Sequence, residues 1–394
     1  MGDAEKIIAR TAGSMGEIDA AQWDACANPG GNVPYNPFLT HAFLKALEDS
    51  GSASADTGWQ PYHLLVEDPM GNIAGCAPCY IKGHSSGEYV FDYGWADAWE
   101  RAGGRYYPKL QISVPFTPAT GRRLLARAGP DAAQTEEQLA AALVELTNRL
   151  ELSSCHLTFL PKDQWQHLGE LGFLQRTDQQ FHWQDEGYGN FDGFLDALSS
   201  RKRKNLKKER ARALENDIEI EWVTGSNITE DHWDAFFTFY MDTGHRKWGQ
   251  PYLTRTFFSL AGETLPDDIL LIMAKRHGRY IAGALNFIGS ETLYGRYWGC
   301  TEHHDFLHFE VCYYQAIEFA LSRGIPRVEA GAQGAHKLAR GYVPTLTYSA
   351  HYIPNESFRD AVANYLESER QHVSADADML REHAPFKKDQ ETPS

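Results

Sequence analysis

Between residues 270 and 299 the chain reads LLIMAKRHGRYIAGALNFIGSETLYGRYWG, three apolar runs parted by His277-Gly278 and Gly289-Ser290. Apolar and aromatic runs bounded by such turn pairs predict three consecutive strands joined as hairpins. The period then changes. From Phe309, the residues Cys312, Tyr313, Ala316, Ile317 and Ala320 recur at helical spacing, one stripe of a helix over 309–323 that packs on the sheet. Gly324 supplies a left-handed cap and Pro326 cannot continue the helix, so a short strand is predicted from Arg327 to Ala330. Hairpins followed by a helical crossover give a mixed sheet with helices on its faces, an α/β class of the α+β mixed-sheet kind.

The pattern occurs twice. Ile18 to Ala25 (IDAAQWDA) returns as Ile228 to Ala235 (ITEDHWDA), Leu39-Thr40 with Phe43 as Leu253-Thr254 with Phe257, and Leu64-Leu65 as Leu270-Leu271. Gly71 with Ile73-Ala74-Gly75 likewise returns as Gly278 with Ile281-Ala282-Gly283. Each half continues with an aromatic strand (Tyr89 to Trp95, Leu293 to Trp298), a helix (135–150, 309–323), a short strand (155–160, 327–330) and a Gly-aromatic pair (Gly172-Phe173, Gly341-Tyr342). A repeat kept in order and register predicts two copies of one domain. We place them at 1–187 and 188–385, the second opening with a basic helix over 195–214.

Composition narrows the class. With 394 residues, 42% hydrophobic and 12% aromatic, the chain has the makings of folded domains rather than a disordered segment. Its formal net charge of −16 speaks against a general attraction to nucleic acid or anionic membrane. No apolar run is long enough to span a bilayer and MGDAEKIIAR has no signal-peptide core, so the protein reads as cytoplasmic. Six cysteines are sparse; Cys76 and Cys79 lie three apart in a strand-like run, on opposite faces, and read as core thiols.

Several long strings resemble the tandem GNAT-fold, FemAB-like N-acyltransferases linked to peptidoglycan biosynthesis. They are NPFLTHAFLKALEDSGS at 36–52, FDYGWADAWERAGGRYYPKLQISVPFTPATGRRLL at 91–125, FHW at 181–183, SSRKRKNLKKER at 199–210, YWGCTEHHDFLHFEVCYYQAIE at 297–318 and GAQGAHKLARGYVP at 331–344. The resemblance covers nearly the whole chain. It implies two tandem acyl-CoA N-acyltransferase-like domains and transfer of an acyl or aminoacyl group to an amine. It further implies an acceptor among small molecules or envelope precursors, and acyl-CoA or aminoacyl-tRNA as a donor substrate rather than a permanently bound cofactor. Where the family usually reads GEHK, this chain has Ala335 in place of the acid.

The chemistry of such a transfer needs a group that takes a proton from an ammonium and donors that steady an oxyanion. Residues 327–344 offer Glu329, His336 and Lys337 as candidate catalytic groups on a glycine-punctuated segment. Gly331, Gln333 and Arg340 on that segment, Tyr297 and Trp298 on the aromatic strand, and His245 and Lys247 in the stretch Asp242–Gly249, read as a loop, are candidate substrate contacts. The alternative is structural: Glu329 paired with Lys337 or Arg340, and His336 capping the segment.

For the donor's phosphates, the run Arg201 to Arg212 holds eight cations in twelve residues, and Arg201, Arg203, Lys204 and Asn205 are its candidate anion ligands. Leu195, Leu206, Ala213 and Leu214 form its apolar seam. In the first copy the loop Thr117 to Arg123 adds Arg122 and Arg123. The second copy's loop Thr301 to His308 has no glycine and carries Glu302 and Asp305, a poor phosphate cradle. The group Glu302, His303, His304, Asp305 and His308 matches no metal-ligand spacing, and no metal is expected. Two other readings compete with a transferase: a catalytically silent ligand-binding protein of the same fold, and a phosphate- or nucleic-acid-binding module built on 201–212.

Overall fold

The alternation of apolar runs and turn pairs becomes two mixed α/β units in the computed structural model, which describes residues 8–247, 251–331 and 334–387. The first unit comprises residues 1–178, 252–264 and 346–373, and the second 179–251, 265–345 and 374–394. The units are not contiguous in sequence, because each takes in segments that follow the other's main stretch.

In the first unit, strands Ile8–Ala12, His63–Glu67, Ile73–Ala77 and Leu125–Ala126 make an antiparallel sheet. Pro78, which lacks the N–H that a ladder needs, separates Ile73–Ala77 from Cys79–Lys82. The latter strand leaves that sheet and pairs with Trp59–Pro61 and Lys109–Ile112. Lys109–Ile112 runs parallel to Cys155–Leu160, and residues 348–352 close this sheet antiparallel to Cys155–Leu160. Helix Ala132–Arg149 lays Leu139, Leu143 and Leu146 over strands bearing Leu64, Leu110 and Leu157. Each such side chain, once buried, contributes about 1.5–3 kcal/mol.

Beneath the second sheet lies a fully enclosed charge network. Lys109 donates to Glu88 (2.7 Å), to the Ser85 hydroxyl (2.8 Å) and to Asp92. Burial pushes the Glu88 carboxyl up to about 7, and burial holds the Lys82 amine down to about 7. Tyr106 donates to Asp92 at 2.6 Å, and His156 and His351 meet through their Nδ1 atoms at 2.7 Å. Asp92 is therefore part of this network and heads a helix, Tyr93–Arg101. The expected aromatic strand at Tyr89 to Trp95 does not form. Aromatic residues favour strands, but Trp95 and Trp99 repeat at helical spacing, and the helix buries Trp95 against the His351 ring.

In the second unit, strands Ile218–Thr224, Ile269–Arg276, Arg279–Ile288 and Thr292–Cys300 form an antiparallel meander. Strand Arg327–Glu329 runs parallel to Thr292–Tyr294, and residues 182–184 pair antiparallel with it. Helix Glu230–Lys247 packs on the meander, where Gly283 and Gly299 make room for Phe236 and for the Phe239 carbonyl. The expected loop from Asp242 begins as the last turns of this helix, because a single glycine, Gly244, does not stop one already propagating. The stripe predicted over 309–323 is present: Tyr313, Ala316, Ile317 and Ala320 are buried. The segment starts with a short helix at Leu307–Phe309, widens to π spacing over Glu310–Tyr314 and ends as an α-helix, Gln315–Arg323. Gly324 takes the left-handed cap as expected.

Elements recur in the order of the sequence repeat. Trp23 and Trp233 are buried on helices. Thr40 accepts from the Phe43 N–H and Thr254 from the Phe257 N–H. The hairpin His63–Glu67/Ile73–Ala77 corresponds to Ile269–Arg276/Arg279–Ile288, and each Gly-aromatic pair introduces a strand, Leu174–Gln184 or Val343–Tyr352.

Candidate active site

In the second unit the strand Thr292–Cys300 changes register against Arg279–Ile288 between Leu285↔Tyr297 and Asn286↔Gly295, so that Arg296 is the extra residue of a bulge. A bulge bends the strand and re-aims its side chains. Here it opens a cavity of about 130 Å³ lined by Asn286, Tyr297, Trp298, His308, Cys312 and Ala330, among others. A second cavity of about 220 Å³, lined by Thr243, Cys300, His303 and His304, shares Trp298 and His308 with the first. Tyr297 and Trp298, named as candidate substrate contacts, both line the first cavity. Their rings are half-buried, with Tyr240 edge-on to Tyr297 at 5.0 Å and His308 at 5.2 Å from Trp298.

The glycine segment borders the first cavity through Ala330. Gly334, at φ +124°, and Gly341, at φ +88°, bracket a 3-10 turn, Ala335–Arg340. A Cβ at Gly334 would lie 2.5 Å from the His336 ring, and one at Gly341 2.7 Å from the Phe194 ring. Both positions therefore admit only glycine. Lys337 is buried, with 1% of its surface exposed, and its Nζ donates to the Gly331 carbonyl at 2.8 Å. Burial drives its amine down to about 8, so that near neutral pH it can give up its proton. His336 is exposed, its Nε2 2.9 Å from the Tyr313 hydroxyl.

Glu329 is buried at the end of its strand, with Oε1 3.9 Å from His182 Nδ1. That separation is too long for a hydrogen bond. Burial, reinforced by Arg327 and Lys337, pushes His182 down to about 3, so the ring is neutral and the contact is no ion pair. The expected Glu329 pairing with Lys337 or Arg340 is not what these two cations do. Arg340 donates to the His336 carbonyl (2.7 Å) and to Glu209 (2.8 Å), with its guanidinium over the Phe309 ring. Glu209 also accepts from the Tyr314 hydroxyl at 2.5 Å. Gln333 lies outside the described residues, as do the side chains of His245 and Lys247 at the end of helix Glu230–Lys247.

The basic run forms helix Ser200–Ala213, seated by Leu206 and Ala213. Its charges divide by face. On the inner side Glu209 reaches Arg340, and Arg210 makes a paired contact with Glu310, which is fully buried, and another with Glu318. Arg212 meets Asp305 and Arg203 meets Asp196. Arg276 and His304 take up Glu302. The acids that made the Thr301–His308 loop look hostile to phosphate are thus each engaged by a cation. On the outer side Arg201, Lys204, Asn205, Lys207 and Lys208 are exposed.

Arg122 and Arg123 were candidate anion ligands in the first copy, and the structure corrects this. Arg123 is wholly buried and donates to the carbonyls of Ala119, Gly121, Arg122 and Thr158. Arg122 donates to the Cys26 and Ala126 carbonyls and to Glu136. Both arginines spend their donors on backbone carbonyls and, for Arg122, on Glu136, which holds the loop in place. Cys76 and Cys79 are buried free thiols, with burial pushing Cys79 up to about 12. Among the described residues no cluster of His, Cys, Asp and Glu is set to hold a metal ion, and no helix is long and apolar enough to cross a membrane.

Sequence reasoning missed Glu209, which ties the basic helix to the glycine segment through Arg340 and to Tyr314, and Arg210, which ties the same helix to Glu310 and Glu318. The one signal was the pair Tyr313-Tyr314, adjacent aromatics that a regular helix would point in different directions and that the π turn turns toward His336 and Glu209.

The profile of the FemAB-like family, described as peptidoglycan biosynthesis/recognition, matches residues 14–388. Among solved structures, FemX superposes with a TM-score of 0.55 at 14% identity, covering 88% of this chain and 98% of FemX. The C-terminal domain of a putative lysylphosphatidylglycerol synthetase from Agrobacterium fabrum gives 0.53 at 10% identity, covering 90% and 97%. L-PGS from Bacillus licheniformis gives 0.50 at 8%, covering 85% and 98%. At these identities the likeness is one of fold. No curated protein matches the sequence.

Proposed function

The chain belongs to the FemAB-like family, and from that premise we propose that it is an N-acyltransferase that moves an acyl or aminoacyl group to an amine acceptor. The observation that carries this reading is Lys337, a buried amine held at the Gly331 carbonyl beside the bulge cavity and brought by burial to about 8. In the proposed reaction a neutral Lys337 takes a proton from the acceptor's ammonium. The freed amine attacks the donor's carbonyl carbon, and the tetrahedral intermediate collapses with loss of a thiol or a ribose hydroxyl. Glu329 sets the local field, and the exposed His336, steadied by Tyr313, takes the proton that the attacking nitrogen sheds in the tetrahedral intermediate and passes it to the leaving group. Tyr297 and Trp298 hold the transferred group, while Gly331 and Arg340 shape the segment.

The outer stripe of the basic helix, Arg201, Lys204, Asn205, Lys207 and Lys208, is proposed to meet the donor's phosphates, in acyl-CoA or in aminoacyl-tRNA. A polyanionic donor suits it better than CoA, whose usual glycine loop the chain lacks between Thr301 and His308. FemX and the lysylphosphatidylglycerol synthetases share the fold, which supports an envelope precursor as acceptor in the cytoplasm. Two tandem copies, divided near residue 187, complete the proposal. A second reading, a ligand-binding protein without turnover, is favoured by one feature, Ala335 where the family has an acid.

The test is release of free thiol from acyl-CoAs and of label from aminoacyl-tRNA, each with a panel of amine acceptors. Turnover lost in Lys337→Met, with the fold intact, supports the transferase. Saturable donor binding without turnover under any pairing assigns the silent reading.

A further inference from the structure

A further cavity lies in the first unit, and none of the glycine segment's residues lines it. It holds about 420 Å³ between helix Tyr93–Arg101 and the first turns of helix Glu356–Glu382. That volume is in the range of small-molecule pockets. Its walls are rings and methyl groups: Phe91, Trp95, Trp99, Phe358 and Val362, with Trp99 stacked on Phe358 at 4.7 Å. Along one wall Gly94, Ala98 and Ala102 follow at one-turn spacing and keep the groove open.

Arg176, Tyr365 and Ser357 on the lining are already engaged. Arg176 donates to both carboxylate oxygens of Glu369 and to the Phe91 carbonyl, Tyr365 donates to Glu369, and Ser357 to Asn355. With these groups engaged and the rest of the wall built of rings and methyl groups, the lining matches an apolar ligand better than a polar one. The mouth adds a second observation. Phe91 and Tyr365 are about half exposed, and Phe91 stacks on the equally exposed Tyr93 at 6.2 Å. Three exposed aromatics round one opening mark a binding rim.

We propose that this cavity is a hydrocarbon site that takes one extended acyl chain of a monomeric fatty-acyl amphiphile, its polar head left in water at the Phe91–Tyr365 rim. The groove between the small residues and the aromatic wall admits a chain without branches. The site is independent of the transferase reading, since no residue of the second unit takes part in it.

The experiment is displacement of the fluorescent fatty acid cis-parinaric acid by saturated acids from octanoic to palmitic, each kept below its micelle concentration. Affinity should rise roughly fourfold with each added methylene and then level off when the cavity is full. Ala98→Trp places an indole in the groove from an exposed helix position and should weaken palmitate at least tenfold. Ala361→Trp, on the opposite wall, should do the same. A flat chain-length series in the unaltered protein overturns the proposal whatever the variants do. So does binding confined to phosphatidylglycerol vesicles with no affinity for monomers, or a self-association that Ala98→Trp abolishes, which would assign the groove to a second copy.

Discussion

Replacing Lys337 by Met tests the site through the energetics of one buried amine. In the folded protein Lys337 titrates at about 8, against an ordinary value of 10.5. A depressed lysine means that the unfolded chain binds more protons than the native one between those two values, so stability rises with pH across that interval. Below about pH 8 both states hold the proton, and the full penalty of burying the ammonium, about 3 kcal/mol, is present. At pH 7 the methionine variant should therefore be the more stable, by about 2 kcal/mol after subtracting about 1 kcal/mol for the lost bond to Gly331. Between pH 7 and 9.5 the unaltered protein should gain about 2 kcal/mol that the variant does not. Urea unfolding of both at the two pH values measures this difference directly, and the other titrating groups cancel. Activity should move the other way, falling by about 10²–10⁴, and Lys337→Arg, which stays charged at every accessible pH, should not restore it. A variant whose stability runs parallel to the unaltered protein across this range would show that Lys337 is not a buried titrating amine and would remove the base from the mechanism.

Four further outcomes follow from the geometry. Arg210→Met leaves Glu310 charged and wholly buried with no arginine, and should cost about 3–5 kcal/mol in chemical denaturation. Arg123→Ala strips the donor from four carbonyls, two of them buried, and should destabilise by at least about 3 kcal/mol or prevent folding, measured the same way. Changing Arg201, Lys204 and Lys208 together to Gln should leave stability within about 0.5 kcal/mol. It should also lower the slope of log affinity against log salt for a polyanion by about 2–3; an unchanged slope would free the helix of that role. Glu88 is raised to about 7 from 4.5, so its neutral form favours the fold below about pH 4.5 and that advantage fades as pH climbs to about 7. Relative to Glu88→Gln, the unaltered protein should lose stability over that interval in thermal melts.

Features set by near neighbours in the chain were legible beforehand. The hairpins of 269–300 follow from their turn pairs, the left-handed cap at Gly324 from glycine before Pro326, and the repeat from Trp23 and Trp233 in matching frames. What was not legible depends on partners far away in sequence. Helix Tyr93–Arg101 hid behind the β preference of its aromatic residues, and its head, Asp92, is placed by Lys109. Arg123 is the local exception: it looked like a phosphate ligand because residue spacing does not show that its own loop turns the carbonyls of Ala119, Gly121 and Arg122 back onto it, beside that of Thr158. Three of the eight cations of the basic run, Arg203, Arg210 and Arg212, are spent on Asp196, Glu310, Glu318 and Asp305, acids in part a hundred residues away. Of the candidate site, the sequence singled out the segment 329–340, but the choice between pairing Glu329 with Lys337 and binding Lys337 to the Gly331 carbonyl depends on a fold of the chain that no periodicity encodes.

The closing strands have a consequence for anyone who dissects this protein. Residues 348–352, from the end of the second copy, ladder onto Cys155–Leu160, while residues 182–184, from the end of the first, ladder onto Arg327–Glu329. Scissors applied at the midpoint would yield two fragments that each carry a bare β edge and a spare strand that fits the other's gap. Such halves should be sticky when made alone and should heal when made together, so co-expression, not truncation, is the way to ask what either copy does.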